Sequence, residues 1–207
     1  MQPRSGLKFT LLAILAIVGL GARAHAYEFC TVPKTIGLSD NDVSRLENLV
    51  TSRTRGLGGA LRSENAADRA SVAQLFEPGV PYAEPSLLAG DYRCRTIKLG
   101  GDLSPLTIYQ WFSCRINEAS EGTFTIEKLT GSQNFSGTLY PAGSGFAYKG
   151  ASFYGYEDGA RRYGDDPEQD QVGCLSAVTK DNQHFILELP FPPVESAHDV
   201  VELRPDR

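Results

Sequence analysis

The apolar and polar positions follow two patterns along this chain, and the change from one to the other comes near residue 90. Between residues 39 and 77 the apolar side chains recur at helical spacing, which is typical of amphipathic helices. Ser39 is a suitable N-cap for a first helix, because Asp40 and Asp42 follow it in the first turn. A second helix is predicted to start at Ser63, and a proline-rich linker follows it.

The end of the first helix carries glycines at positions 56, 58 and 59, which we expect to weaken the helix there. Its predicted buried face consists of apolar residues near helical spacing: Leu38, Val43, Leu46, Val50, Leu57 and Leu61.

After Gly90 the pattern becomes one of short β-prone runs separated by Gly, Pro, Asn and Asp, with no convincing helix. An eight-stranded antiparallel barrel, lipocalin-like or inhibitor-like, with a pair of N-terminal helices packed on it is the predicted fold. Closure into a barrel removes the exposed sheet edges, and a β-sandwich is the alternative. The eight predicted strands are residues 91–99, 106–117, 123–130, 135–140, 145–154, 171–179, 183–189 and 198–203.

The first 26 residues have the pattern of a secretory signal peptide. Arg4 and Lys8 precede an uncharged apolar run, and Ala24-His25-Ala26 is a small-x-small cleavage site. The apolar run is shorter than the roughly 20 residues that span a bilayer. We therefore expect a periplasmic or secreted protein with a signal peptide at 1–26, a helical segment and linker at 27–89, and a barrel domain at 90–207.

Charge excludes two classes of partner. Cleavage after Ala26 would remove three of the 20 basic residues and no acid, which leaves 17 basic against 25 acidic residues, a net charge of −8. Such a chain repels nucleic acid and anionic lipid surfaces. The expected protein is a monomer with no membrane span, and its partner is a protein of the cell envelope or a small ligand.

All four cysteines lie after the predicted cleavage site, and an even count in an oxidising compartment indicates two disulfides with three conceivable connectivities. If Cys94 faces Cys114 on neighbouring strands, the turn between them falls within residues 100–105, where the turn residues are. By elimination Cys30 pairs with Cys174. This second bridge would fasten the helical segment to the sixth predicted strand.

The same register divides the first two strands into two faces. The face that we expect in the core carries Tyr92, Cys94, Ile108, Phe112, Cys114 and Ile116. The opposite face carries Arg93, Arg95, Ile97, Tyr109, Trp111 and Arg115. Arginines beside aromatic rings bind anionic or sugar-like ligands through forked hydrogen bonds and stacking. The alternative is an amphipathic outer face whose arginine stems lie on aromatic rings under the helices.

No motif for catalysis or metal binding stands out. The chain lacks a G-x-S-x-G elbow, an H-E-x-x-H motif and a P-loop, and the predicted disulfides leave no cysteine as a nucleophile. His184 and His198 lie in two C-terminal strands without an evident third ligand. The acidic stretch 165–170 lacks EF-hand spacing and is interpreted as a solvated turn. We expect neither an enzyme nor a bound cofactor or metal.

A predicted aromatic hairpin around residues 136–153 is the most distinctive stretch. Ser136 and Lys149 would lie together at one rim of the barrel, and Gly137, Tyr140 and Gly150 would shape the hairpin. The alternative is that these residues serve hairpin packing alone.

From residue 90 to 205 the chain resembles an uncharacterised exported bacterial family, domain of unknown function 4893. GDYRCRTIKLG at residues 90–100 and WFSCR at 111–115 carry the resemblance, and residues 131–133, 137–141 and 199–203 continue it. The resemblance implies export and supports the bridge between Cys94 and Cys114, and it carries no activity.

A second resemblance is local. SGxxY at residues 136–140, with Tyr148-Lys149-Gly150, is similar to the signature of periplasmic inhibitors of chicken-type lysozyme. Those proteins are small eight-stranded barrels, and the resemblance implies that Ser136 and Lys149 would insert into the lysozyme cleft. An acidic protein would also associate quickly with a strongly basic enzyme.

These observations favour an exported, non-enzymatic barrel that acts by binding. The leading expectation is a binding or interaction module of the cell envelope. Two alternatives stay open: a lysozyme inhibitor that uses Ser136 and Lys149, and a carrier that holds a small ligand inside the barrel.

Overall fold

The computed structural model describes residues 30–206, except residues 32, 77–82, 121 and 158. The predicted signal peptide and part of the predicted proline-rich linker lie outside these residues. The described helices are α1 (Asp40–Glu47), α2 (Leu49–Ala60) and α3 (Ala66–Leu75). None of these helices is both long and apolar enough to cross a membrane. The strands are β1 (Gly90–Leu99), β2 (Leu106–Ile108), β3 (Phe112–Glu118), β4 (Phe124–Lys128), β5 (Gln133–Ala142), β6 (Gly145–Tyr154), β7 (Asp170–Ala177), β8 (Phe185–Pro190) and β9 (His198–Pro205).

The strands form a closed antiparallel barrel, as predicted. Each strand from β3 to β8 pairs with its successor in the chain, and β9 pairs along β1 to close the ring. Strands β2 and β3 lie in series along one edge of β1, so the ring has eight members. The prediction joined β2 and β3 into one strand, and the other predicted bounds differ from the observed ones by at most two residues. Closure pairs β1 with β9, so these two strands do not remain as the open edges of a sheet.

The register of β1 corrects one detail of the prediction. Cys94 lies opposite Phe112, and Cys114 lies opposite Tyr92, so the Cys94–Cys114 disulfide runs diagonally between the strands. Residues 109–111, which separate β2 from β3, then shift the register by one, and Ile108 lies opposite Ile97. Ile108 therefore packs outside the barrel against the helices, whereas the other residues predicted for the core face contact the barrel core.

Apolar side chains fill one end of the barrel. This end includes the fully or almost fully buried rings of Phe124, Phe146 and Phe185, and Phe124 and Phe146 pack edge to face with centroids 5.5 Å apart. The segment before β1 closes the same end, because Leu88 is fully buried and its carbonyl accepts a hydrogen bond from Tyr92. The packed end leaves the opposite end of the barrel as the place for a cavity.

The helices lie on the outer surface of the barrel: α1 contacts β7, α2 contacts β1, β8 and β9, and α3 contacts β2. Ser39 caps α1 as predicted, by accepting from the Asp42 N–H, but α3 is capped by Asn65 rather than beginning at Ser63. The predicted buried face of the first helix is partly wrong, because Val43, Val50 and Leu61 are exposed.

The glycines of α2 do not end the helix, which continues to Ala60. A Cβ at position 56 would lie 2.7 Å from the His198 Cβ and 2.9 Å from the Leu99 Cβ. Gly59 similarly lies directly against Gly100. These two glycines let the backbone of α2 approach the barrel wall closely, which is why the helix tolerates their low propensity.

The second predicted disulfide is also present. Cys30 is bonded to Cys174 of β7, and the bridge fastens the N-terminal segment to the outer barrel wall. Leu46 and Leu49 of the helices pack beside Cys174 in the same apolar cluster.

Candidate functional site

A cavity of about 470 Å³ lies at the end of the barrel where β1 ends and β9 begins. Side chains from the strands form its wall, and the β6–β7 and β8–β9 connections form its rim. The lining residues combine amides, hydroxyls, charges, aromatic rings and prolines: Thr96, Lys98, Gln133, Asn134, Phe135, Ser152, Phe153, Tyr154, Glu168, Gln169, Gln171, Leu189, Pro192, Pro193, Val194, Asp199 and Val201. This volume is in the range of natural small-molecule sites.

Two charged residues face each other in this cavity. Lys98 of β1 and Asp199 of β9 are direct cross-strand partners, and both line the cavity. Lys98 Nζ lies 2.5 Å from the Glu195 carboxylate, and the Ser196 hydroxyl donates to Asp199 Oδ1 at 2.5 Å. Burial raises the pKa of the Asp199 carboxyl above its ordinary value, although the Ser196 hydrogen bond and the Lys98 charge act in the opposite direction.

Amide and hydroxyl groups form much of the remaining wall. The Ser152 hydroxyl donates to the Gln169 side-chain oxygen at 2.5 Å. Among the described residues, the buried Gln171 Oε1 has no hydrogen-bond partner. A buried acceptor without a donor is uncommon in a folded protein, and a rotation of the Gln171 side chain, which lines the cavity, would bring this oxygen to a ligand.

The rim between β8 and β9 has an unusual backbone that is held from outside the barrel. Phe191 and Glu195 both have positive φ angles, at 45° and 72°. The Phe191 N–H donates to the Ser52 hydroxyl of α2 at 3.0 Å, which fixes the point where the chain leaves β8.

Ser52 belongs to a buried polar network that sequence reasoning missed. Its Oγ lies 2.9 Å from His198 Nδ1, and His198 Nε2 lies 3.0 Å from Glu188 Oε1. Arg53 makes two hydrogen bonds of 2.6 Å to the same carboxylate. Burial alone would raise the pKa of Glu188, but the hydrogen bonds from His198 and Arg53 outweigh it and lower that pKa.

Serine, histidine and carboxylate are linked by hydrogen bonds in the same sequence as in the catalytic triad of a hydrolase. Here, however, the network is buried and a substrate cannot reach it. Ser52, His198 and Glu188 each have 0% relative exposure, and the Ser52 oxygen already accepts the Phe191 N–H. The network therefore fastens α2 to β8, β9 and the rim. Residues 146 positions apart bear no local signal, so the sequence gives no way to find this pairing.

The predicted arginine and tryptophan face lies on the outer wall beside the helices. Trp111 is surrounded by guanidinium groups of Arg93, Arg95 and Arg204, whose carbons lie 5.4, 4.6 and 5.8 Å from its ring centroids. Arg115 is not part of this stack and is exposed, with an ion pair of 2.7 Å to Asp91.

The buried carboxylate of Glu202 forms ion pairs with two of these arginines, Arg95 and Arg204. Its carboxylate accepts hydrogen bonds from Arg95 at 2.7 Å and Arg204 at 2.9 Å, and His184 Nε2 lies 2.9 Å away. Burial alone would raise the pKa of Glu202, but the hydrogen bonds and charges of His184 and Arg95 lower it to about 2. The charges of Arg95 and Arg204 are therefore paired within the cluster.

Lys149 is held by the N-terminal segment. Its ammonium donates to the carbonyls of Ile36 and Gly37 at 2.7 and 2.9 Å and lies 4.5 Å from the Tyr163 ring centroid. Ser136 lies on the same outer wall of the barrel, and its hydroxyl donates to the Arg161 carbonyl at 3.3 Å. The two residues lie on a strand surface rather than on a projecting loop.

The other residues of the aromatic hairpin have packing roles. Gly137 and Gly150 are direct partners on β5 and β6, and a Cβ at either would collide with the Tyr148 side chain. The Tyr148 hydroxyl donates to the Ser136 carbonyl at 3.0 Å. Tyr140 packs on the N-terminal segment outside the barrel.

The acidic stretch 165–170 forms internal turn contacts. Asp166 pairs with Arg161 at 3.0 Å, and Asp170 accepts from the Gly164 N–H at 2.8 Å. His184 and His198 contact different carboxylates, Glu202 and Glu188.

The comparison with known families matches residues 36–203 to the model described as Domain of unknown function (DUF4893). The chain belongs to the DUF4893 family. The match covers the helices and nearly all of the barrel, so the DUF4893 region contains the wall of the cavity together with the buried Ser52 network. No curated protein sequence matches the chain.

Proposed function

We propose that this DUF4893 protein is an exported, non-enzymatic binding protein that holds a small polar ligand in the cavity of its barrel. The cavity is the observation that carries the proposal. One end of the barrel is filled with packed rings, whereas the other end keeps about 470 Å³ lined by both polar and apolar side chains.

The composition of the cavity wall supports binding of a small polar molecule. Amides at positions 133, 134, 169 and 171 offer directional hydrogen bonds, and Phe135 and Tyr154 offer apolar surface. A few polar groups that converge on apolar walls are typical of small-molecule sites.

Two other parts of the molecule are less suitable as binding sites than the cavity. The insertion of Lys149 into a lysozyme cleft would first break two hydrogen bonds to the N-terminal segment. The Trp111 cluster offers an outer surface, but its central carboxylate Glu202 already pairs with its arginines. Neither location encloses a ligand.

The proposal is tested with the oxidised chain that starts at Tyr27. Equilibrium dialysis against a mixture of small sugars, amines, carboxylates and amino acids, followed by mass spectrometry, identifies retained compounds. Thr96→Phe places a ring inside the barrel at a cavity-lining position, and Thr125→Phe places the same ring at an exposed position on β4.

We expect retention that Thr96→Phe abolishes and Thr125→Phe preserves, with both variants showing the near-ultraviolet circular dichroism of the parent. Retention that survives Thr96→Phe would place the ligand elsewhere and overturn the proposal. The absence of retention in every chemical class would also overturn it.

A further inference from the structure

The charges in the cavity favour a cationic ligand. Lys98, Glu168 and Asp199 are the lysine and the carboxylates among the lining residues. Glu195, beside the cavity, already pairs with the Lys98 ammonium at 2.5 Å. The lysine is thereby compensated from the rim, and the carboxylates of Asp199 and Glu168 leave an excess of negative charge.

The hydrogen-bonding groups point to the same kind of ligand. Within the described part of the chain, Gln171 Oε1 is a buried acceptor without a donor. Asp199 is nearly fully buried, and a buried carboxylate is stable when cations or several donors surround it. Acceptors that need donors select a ligand that donates hydrogen bonds.

We propose that the ligand carries a primary ammonium group, which donates to the Asp199 carboxylate and, once the Gln171 side chain turns towards the cavity, to Gln171 Oε1. An ammonium group has three donors and a positive charge, so it satisfies both the charge and the orphaned acceptor. The rest of the ligand lies against Phe135 and Tyr154. This inference rests on the proposed function, because it names the ligand class of the same cavity.

Aliphatic diamines, amino sugars and amino acids share this chemistry, and matched probes separate them. Isothermal titration at pH 7 compares cadaverine with 1,5-pentanediol and glutarate, which have the same chain length. Glucosamine against glucose tests the amino sugar, and lysine against hexanoate, which lacks both amino groups, tests the amino acid. We expect each ammonium compound that fits to bind at least about tenfold more tightly than its partner that lacks the ammonium group.

Two substitutions test the contacts. Asp199→Asn keeps the shape and removes the charge, and Gln171→Leu removes the orphaned acceptor while keeping the bulk. Each is expected to weaken ammonium binding at least about tenfold, whereas Asp91→Asn on the outer wall leaves it unchanged. Lys98→Met removes a competing cation and is expected to preserve or tighten binding. If the ligand were an anion, Lys98→Met would instead abolish binding.

Different experimental results would overturn the ligand class and the proposed binding in the cavity. Binding of sugars or carboxylates that is lost in Thr96→Phe, without binding of any ammonium probe, would overturn the ligand class and leave cavity binding intact. Equal binding of cadaverine and 1,5-pentanediol would overturn the ligand class in the same way. No binding of any compound would overturn both proposals.

Discussion

The backbone N–H of Phe191 donates to the Ser52 hydroxyl at 3.0 Å, and this hydrogen bond connects the cavity rim to a helix outside the barrel. Phe191 has a positive φ of 45°, a conformation that a large side chain rarely adopts without support. The same hydroxyl contacts His198, so one buried side chain supports the rim and the helix together.

Ser52→Ala is expected to destabilise the protein by about 1–3 kcal/mol, because it leaves the Phe191 N–H and a buried imidazole nitrogen without a partner. Urea unfolding followed by circular dichroism measures the free energy of unfolding. Ser44→Ala, at an exposed position of α1, is the control and is expected to change stability by less than about 0.5 kcal/mol. A stability loss equal to that of the control would contradict the support assigned to Ser52.

Alanine substitutions at two glycines of α2 are expected to change the stability of the protein in opposite directions. Gly56→Ala is expected to destabilise by about 1–3 kcal/mol, because its Cβ would overlap with the Cβ atoms of His198 and Leu99. Nothing lies within 4 Å of a Cβ at position 58, so Gly58→Ala is expected to stabilise by up to about 1 kcal/mol through helix propensity. Thermal unfolding of the two variants checks both signs, and stabilisation by Gly56→Ala would refute the close packing.

The low pKa of Glu202, about 2, makes stability depend on pH. A carboxylate with a pKa lower in the folded chain than in the unfolded chain contributes stability that is complete above its unfolded value of about 4.5. This contribution disappears as the pH falls from there towards 2. We expect the stability difference between the parent and Glu202→Gln to shrink as the pH falls from about 4.5 towards 2. Urea unfolding at each pH measures it, and a difference that grows on acidification would have the wrong sign.

The two disulfides are expected to differ in their contribution. Cys30 and Cys174 are 144 residues apart, whereas Cys94 and Cys114 are 20 apart. In the chain-entropy model the longer loop stabilises by about 5 kcal/mol and the shorter one by about 3 kcal/mol. Unfolding of the Cys30→Ala, Cys174→Ala double variant and of its Cys94→Ala, Cys114→Ala counterpart tests this order. A larger loss from the second pair would contradict the entropic account.

Local patterns predicted the barrel because each strand alternates its faces and pairs with the next one in the chain. The same patterns predicted the Ser39 cap and the Cys94–Cys114 disulfide, and elimination among the four cysteines predicted the Cys30–Cys174 disulfide. They misplaced Ile108, because the register shift at residues 109–111 turns its side chain outward and hydrophobicity alone does not reveal such a shift.

The residues of the candidate site were harder to predict from the sequence than the fold. Residues of the cavity come from several strands and two connections, and each strand contributes only one or a few of them. From the sequence, glycines 56 and 59 are only weak helix formers. Their role in the close approach of α2 to the barrel wall depends on the tertiary structure and cannot be recognised from local sequence. Ser136 and Lys149 do lie on the same outer wall. The N-terminal segment that binds Lys149 is far away in the chain, so the local sequence could not predict that contact.

The most direct test of ligand binding in the cavity is a titration of the ¹⁵N-labelled oxidised protein with cadaverine, followed through its amide chemical shifts. We predict saturable shift changes concentrated at the lining residues, including Lys98, Gln171 and Asp199, that are absent in Thr96→Phe. Changes centred on the outer face around Trp111, or no changes at millimolar cadaverine or at millimolar glucosamine or lysine tested in its place, would contradict the account.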